Sequence, residues 1–289
     1  MAEFKIGVSP AYHISRYGDR FTPENVAASL RDIRALGFSS FQLEIYHPDT
    51  LNDWKQYGSA IVAKSAEQSG IFPSQFVGHF LCHGFDSPSS IYSDFGIEEI
   101  KSCLEILRYF PDCRVMNVAM PAFSLAGVRL DGKSFMRLYE RFSVKMRTIL
   151  GIAEDEGKKM CVEILPGSFI GGIQGFLRLA DSLGSPNFGY NFDTGHAWAC
   201  REAIELIPGM LSGKIFGTHL KDHDQTANRA LAPGKGTIPW DPLIRNLLSV
   251  GYRGSFDIEI ICESEEIESH YRQGMDFIKS KLSAHQGGI

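Results

Sequence analysis

None of the six cysteines, at positions 82, 103, 113, 161, 200 and 262, shares a C-x-x-C spacing with another. They read as reduced, mostly structural thiols of a cytosolic protein. No apolar stretch is long enough to span a bilayer, and Met1-Ala2-Glu3-Phe4-Lys5-Ile6 lacks the hydrophobic run of a signal peptide. A cytoplasmic location is therefore expected. Positive charge is also scarce: 29 Lys and Arg against 34 Asp and Glu leave a formal charge of -5. That balance gives no broad attraction to nucleic acid or to anionic membranes, and neither is expected as a partner. No G-x-G-x-x-G turn follows the first strand, which leaves a dinucleotide-binding open sheet with little support. Linkers, low-complexity runs and charge blocks are missing as well, so residues 1–289 are expected to form one domain.

What is present is a regular alternation. With 44% hydrophobic residues the chain can build a sizeable core. Strands are expected over residues 4–9, 38–45, 76–80, 114–119, 159–164, 189–192, 214–220 and 255–260. Thr22 and Pro23 cap and open a first helix, Val26, Leu30 and Ile33 line it, and Gly37 closes it. Trp54, Tyr57 and Ile61 mark a second helix, and Ile97, Ile100, Leu104 and Leu107 a third. A long fourth carries Phe135, Leu138, Phe142, Met146, Ile149 and Ala153, and a shorter fifth Phe176, Leu177 and Ala180. A sixth is expected near 203–207, ended or bent by Pro208. Leu243, Ile244, Leu247 and Leu248 line a seventh; Ile267, Tyr271 and Phe277 or Ile278 suggest the last. Eight strands alternating with eight helices predict a single (β/α)8 TIM barrel.

In such barrels the C-terminal strand ends share one mouth, where active sites are built. Asn191-Phe192-Asp193-Thr194-Gly195-His196 places a carboxylate at a strand end and an imidazole three residues later. By itself such an aspartate is more often a helix cap or turn former. However, Glu163, Asp193, His219 and Glu259 all fall at strand ends, 30, 26 and 40 residues apart, each about one strand–helix unit. A rim lysine could pair with either glutamate, and a core histidine can be satisfied internally. Their coincidence at equivalent strand ends favours a metal instead. Three carboxylates and one imidazole suit Mn2+ first, with Mg2+, Co2+ or Zn2+ also accommodated.

Val162-Glu163, the Asn191 to His196 run and Thr218-His219-Leu220-Lys221-Asp222 resemble the xylose isomerase-like barrel superfamily, including its sugar phosphate isomerase/epimerase group. The runs Pro233-Gly234-Lys235-Gly236-Thr237-Ile238-Pro239-Trp240, Gly251-Tyr252-Arg253-Gly254 and Ile258-Glu259 are similar to that family's closing pattern. The resemblance implies that Glu163, Asp193, His219 and Glu259 are the metal ligands. In the family's ketose epimerases the two glutamates also act as catalytic acid and base on opposite substrate faces. It implies that His196 contacts substrate oxygens and that Lys221 stands near the mouth in a role that varies. Glu44 and His79, at earlier strand ends, would face the substrate; His83 would either join them or stand in a simple His83-Gly84 loop. Relatives are often dimers or tetramers, some with a partner subunit, so a homo-oligomer is expected.

The implied chemistry is proton abstraction next to a carbonyl. A divalent cation holding a carbonyl and an adjacent hydroxyl lowers the pKa of the C–H between them, and a carboxylate takes the proton to give a metal-stabilised enediolate. Reprotonation gives a sugar or polyol epimerase or isomerase, the function expected here. Loss of a β-oxygen gives a lyase, the alternative, as in inosose dehydratase, dehydroshikimate dehydratase or the enzymes that cleave 3-keto-glycosides. Two departures favour that alternative. Phe169 stands where ketohexose 3-epimerases carry a second glutamate six residues past the first ligand. The loop Asp222-His223-Asp224-Gln225-Thr226-Ala227-Asn228-Arg229 brings its arginine late; Arg229 can still reach a hydroxyl-rich or anionic substrate, but an arginine so placed is more often a surface loop residue. An abasic-site endonuclease shares the fold but needs a basic DNA-facing surface, which the charge of -5 opposes. A non-catalytic binding protein is unsupported by a complete ligand quartet.

Overall fold

The structure, a computed structural model, describes residues 4–125, 127–226 and 229–285. Residues 1–3 of the chain start, and Ala227 and Asn228 of the loop before Arg229, lie outside the described residues. The strands are β1 (Ile6–Val8), β2 (Ser40–Ile45), β3 (Phe72–Gly78), β4 (Val115–Met120), β5 (Lys159–Ile164), β6 (Phe188–Asp193), β7 (Ile215–His219) and β8 (Phe256–Ile258). They lie parallel in the order β7-β6-β5-β4-β3-β2-β1-β8. The ring closes just past β7, where Leu220 N donates to Asp257 O at 2.8 Å and Glu259 N donates to Leu220 O at 3.0 Å. This is the expected (β/α)8 barrel.

Helices Pro23–Ala35, Ser59–Ser69, Ile97–Leu107, Gly132–Asp155, Ile173–Leu183, Trp240–Ser249 and Ile267–Ala284 surround the ring. The first is capped as its sequence predicts: Thr22 Oγ1 accepts from Asn25 N while Asn25 Oδ1 accepts from Thr22 N. The sixth helical segment differs from expectation. Asp193 caps a helix at once (Thr194–Ala199), turns follow, and Pro208 opens rather than ends the short helix Ile207–Met210. Proline lacks an N–H and has a fixed φ, which a first helical turn accommodates. Tyr57 also departs, being exposed: residues Trp54–Gly58 form a π turn that shifts the helical phase after buried Trp54. Phe135 is likewise exposed, in the first turn of Gly132–Asp155, whereas Leu138, Phe142, Met146, Ile149 and Ala153 are buried. In the last helix it is Ile278 that is buried, with Phe277 half-buried.

Period-two alternation sorts the strand residues. Phe41, Leu43, Phe76, Met116, Val118, Met160, Val162, Phe192 and Ile258 join one apolar core. Their alternates fill the barrel interior, and here the filling is polar rather than the usual branched aliphatic layers. Gln42, Gln75, Asn117, Asn191 and Asp257 are buried and bonded to one another or to groups nearer the mouth. All six cysteines are free thiols. No helix among the described residues is long and apolar enough to cross a membrane.

One buried histidine outside the described lining of the mouth gives a pH prediction. His13 packs on Phe21, and its Nε2 lies 2.9 Å from Ser29 Oγ. Burial, helped by the Arg16 charge, pushes its pKa down to about 3. Between that value and the ordinary histidine value the unfolded chain binds the proton and the folded one does not. Stability therefore falls as pH drops through 6.5, by about 2 kcal/mol between pH 8 and pH 5 from this group. In urea titrations, the stability difference between wild type and His13→Gln should narrow by that amount over this range. A constant difference would contradict it.

Candidate metal centre and active site

A cavity of about 180 Å3 opens at the C-terminal strand ends, lined by Glu44, Tyr46, His79, Glu163, His196, His219, Lys221 and Glu259 among apolar neighbours. A larger hollow of about 320 Å3 lies at the opposite end of the barrel, but its described lining holds Lys159 and Arg253 and no carboxylate. The chemistry is concentrated at the mouth.

There the four predicted ligands meet: Glu163, Asp193, His219 and Glu259 each present one donor atom, and these atoms all lie within 4.8 Å of one another. His219 Nδ1 is 2.9 Å from Glu259 Oε2, 3.1 Å from Glu163 Oε2 and 3.7 Å from Asp193 Oδ2. His219 Nδ1 and Asp193 Oδ2 are buried without a hydrogen-bond partner. A buried imidazole nitrogen without a hydrogen-bond partner, aimed into a cluster of carboxylates, is what a cation would satisfy, and three oxygens with one imidazole fit a divalent metal.

Local structure explains each placement. Asp193 serves both as cap and as candidate ligand: Oδ1 accepts from His196 N at 2.7 Å at the start of Thr194–Ala199, which leaves Oδ2 facing the cluster. The same short helix swings His196 over the site, its Nε2 3.4 Å from Glu163 Oε1. Glu163 Oε2 accepts from Asn117 Nδ2 at 3.0 Å and Asn191 Nδ2 at 3.3 Å. Lys221 lies in the site itself. Its Nζ bonds Glu259 Oε1 at 2.6 Å and stands 2.8 Å from Asp193 Oδ2, an ion pair without hydrogen-bond geometry. A Cβ on Gly195 would fall 2.6 Å from Lys221 Cγ, so glycine there lets the lysine stem pass.

These contacts set the protonation. Burial pushes Glu259 up, but the Lys221 and His219 cations outweigh it and hold the carboxyl down at about 2. Burial opposes ionisation of Glu163 too, and the His219 charge with the His196 contact holds it well below the usual range. Glu44 goes the other way: burial, with Glu259 as a like-charged neighbour, raises it well above the usual range. His79 Nδ1 is 3.7 Å from Glu44 Oε1, its ring stacked on Tyr46 at 4.2 Å, and burial lowers its pKa.

Arg229 is exposed and is not among the cavity-lining residues, although the carbonyl of the next residue, Ala230, accepts from Ile261 N at the rim. His83 is exposed beside Asp86. Phe169 packs with Phe123, Phe142 and Tyr139 away from the cavity, and Leu165 supplies the apolar lining after β5. Sequence reasoning missed Tyr46 and the supports Gln42, Asn117 and Asn191. Their signal was a polar residue at alternate positions of otherwise apolar strands. It also left Asp222 without a role. Its two oxygens accept from His223 N, Ile238 N, Gly234 N and Trp240 Nε1, which folds the following loop against the base of Lys221.

Comparison with known proteins agrees with this fold. The chain is 21% identical over 261 residues to the L-ribulose-5-phosphate 3-epimerase of Salmonella paratyphi A, covering 88% of this chain and 89% of that one. It superposes on an L-ribulose 3-epimerase structure with a TM-score of 0.76 at 16% identity, covering 98% and 96% of the two chains. A structure of the protein IOLI with a bound zinc atom aligns at 0.72 and 15% identity, covering 98% and 99%. Residues 30–281 match the family described as xylose isomerase-like TIM barrel. With that match over most of its length, and with sugar epimerases among its relatives, the chain belongs to the xylose isomerase-like TIM barrel family.

Proposed function

We propose that this protein is a metal-dependent epimerase of a small, unphosphorylated ketose or related polyol. Glu163, Asp193, His219 and Glu259 would hold one divalent ion, with Mn2+ favoured by the oxygen-rich donor set. The observation that carries the reading is the pair of glutamates converging from β5 and the end of β8 on His219 Nδ1, at 3.1 and 2.9 Å. The ion, when bound, supplies Lewis acidity that makes a C–H beside a carbonyl acidic.

The remaining work belongs to side chains. Glu259, kept ionised by Lys221, takes the proton from one face, and Glu163, having first taken a proton from solvent, gives it up on the other. His196, His79 and Glu44 hold hydroxyl oxygens, the apolar lining excludes water, and Arg229 serves the rim. Because Asp193 and Glu259 already engage Lys221, the one lysine of the described cavity lining, which holds no arginine, no ammonium or guanidinium of that lining is left over for a phosphate. Likeness to epimerases supports epimerisation over the lyase outcome.

The test is proton NMR in deuterated water with D-fructose, L-ribulose and L-ribulose 5-phosphate, using protein stripped by a chelator and reloaded with Mn2+. Deuterium should enter the carbon next to the carbonyl of a free ketose, stop on chelation and return with Mn2+. Dehydration instead would make it a lyase, and preference for the phosphate would overturn the unphosphorylated class.

A further inference from the structure

Gln42 of β2 reaches across the barrel to the metal-ligand histidine, and its orientation is forced. Its Nε2 lies 2.9 Å from Asp257 Oδ2 and 3.5 Å from Thr218 O, both acceptors, so the amide nitrogen must point there. Its Oε1 is then the atom 2.8 Å from His219 Nε2. An amide oxygen only accepts, so His219 Nε2 must carry a hydrogen. In the neutral imidazole that would bind a metal this is the one N–H, and the lone pair then lies on Nδ1. Nδ1 is the atom that faces Glu163, Asp193 and Glu259.

The anchor behind Gln42 is itself built with care. Asp257 accepts from Ser255 Oγ at 2.5 Å, Ser74 Oγ at 2.7 Å and Ser40 Oγ at 3.5 Å. Ser74 reaches it because the β2–β3 register slips between Phe41 and Gln42, where Gln42 pairs with Gln75 and Phe41 with Pro73. That slip is a bulge, which turns Ser74 inward beside Gln75. Gly7 leaves the room, since a Cβ there would lie 2.0 Å from Asp257 Oδ1. Three serines, a bulge and a glycine thus hold one carboxylate, and the carboxylate fixes which way Gln42 faces.

We infer that Gln42, oriented by Asp257, is a positioning residue that selects the Nε2–H tautomer of His219 and so prepares Nδ1 to bind the metal. The inference rests on the metal reading proposed above. Partners of this kind on the far nitrogen of a ligand histidine typically change metal affinity by about 10–100-fold when removed.

Two measurements test it. Competition with a chromophoric chelator gives the Zn2+ and Mn2+ dissociation constants of the whole protein. Gln42→Met, similar in length and without an acceptor, should weaken both by about 10–100-fold. Ser74→Ala, which leaves Gln42 in place but loosens its anchor, should weaken them by a smaller factor. Long-range 1H–15N correlation on the Zn2+-loaded wild type needs no variant, and it should show His219 protonated at Nε2 and coordinated through Nδ1. Gln42→Met binding metal within about twofold of wild type, or His219 coordinated through Nε2, would overturn the inference while leaving the metal site standing. A wild type that binds neither metal would instead bring down the proposed function, and this inference with it. Should Gln42→Met fail to fold, the wild-type spectrum and Ser74→Ala still decide.

Discussion

Glu259→Gln should abolish net epimerisation in both directions, with the rate falling by about 10³-fold or more, yet leave solvent exchange into one of the two epimers. Two carboxylates on opposite faces produce this asymmetry. The epimer whose C–H faces Glu259 loses its base, whereas the other is still deprotonated by Glu163 and reprotonated from the same side. Glu163→Gln should show the mirror image, with exchange surviving in the other epimer only. Glutamine keeps an oxygen toward the cluster, so metal occupancy is measured in parallel, and the comparison is made at saturating Mn2+. Loss of exchange in both epimers with metal still bound would mean that one carboxylate does all the proton transfer. The Lys221 contact gives Glu259 a second reason to be sensitive: its carboxylate is held at about 2 by that ammonium and by His219, after burial has worked against it.

The largest stability effect should come from Asp222→Ala, a residue that touches no predicted ligand. Asp222 is fully buried and its two oxygens take four donors: His223 N at 2.9 Å, Ile238 N at 3.2 Å, Gly234 N at 2.8 Å and Trp240 Nε1 at 2.7 Å. Removing the carboxylate strands those donors, each at a cost of about 1–3 kcal/mol before water or rearrangement recovers part of it. A net loss of about 4 kcal/mol follows, and for a chain of this size a fall in melting temperature of roughly 10 °C. Asp222→Asn keeps the shape but turns an amide nitrogen toward one pair of donors, so it should cost about half as much. Calorimetry on the metal-free protein checks both. A shift under about 2 °C for Asp222→Ala would show that the loop from 222 to 240 is held by its apolar contacts instead. The same variant should lose activity through Lys221, whose backbone N and O both bond Thr194 Oγ1 at the start of that loop.

The parts legible in the sequence are those with local causes. The strand at 159–164 was placed to the residue because its hydrophobic run is bounded by Gly157 and Pro166. Strands β1 and β8 are shorter than their apolar runs, since a strand stops where its neighbour stops bonding and not where its side chains stop being apolar. The sixth helix lies later than its sequence suggests because Pro208 looks the same in sequence whether it ends a helix or begins one. The candidate quartet at the mouth could be found because each member is a chemically distinctive residue at the end of a recognisable strand. Asp193 could not be divided into cap and candidate ligand that way: the division depends on which oxygen meets His196 N.

By itself the sequence determined the alternation of strands and helices, the barrel and the residue types at its mouth, because apolar periodicity and side-chain chemistry are properties of short stretches. The tertiary structure alone decided how the site is held. Gln42 meets His219 across 177 positions, Ser74 meets Asp257 across 183, and Lys221 pairs with Glu259 across 38. Which alternate residues face inward depends on ring closure and on the register slip at Phe41/Gln42. One residue of slip reverses the face that every later side chain presents, and no local pattern records where the slip occurs.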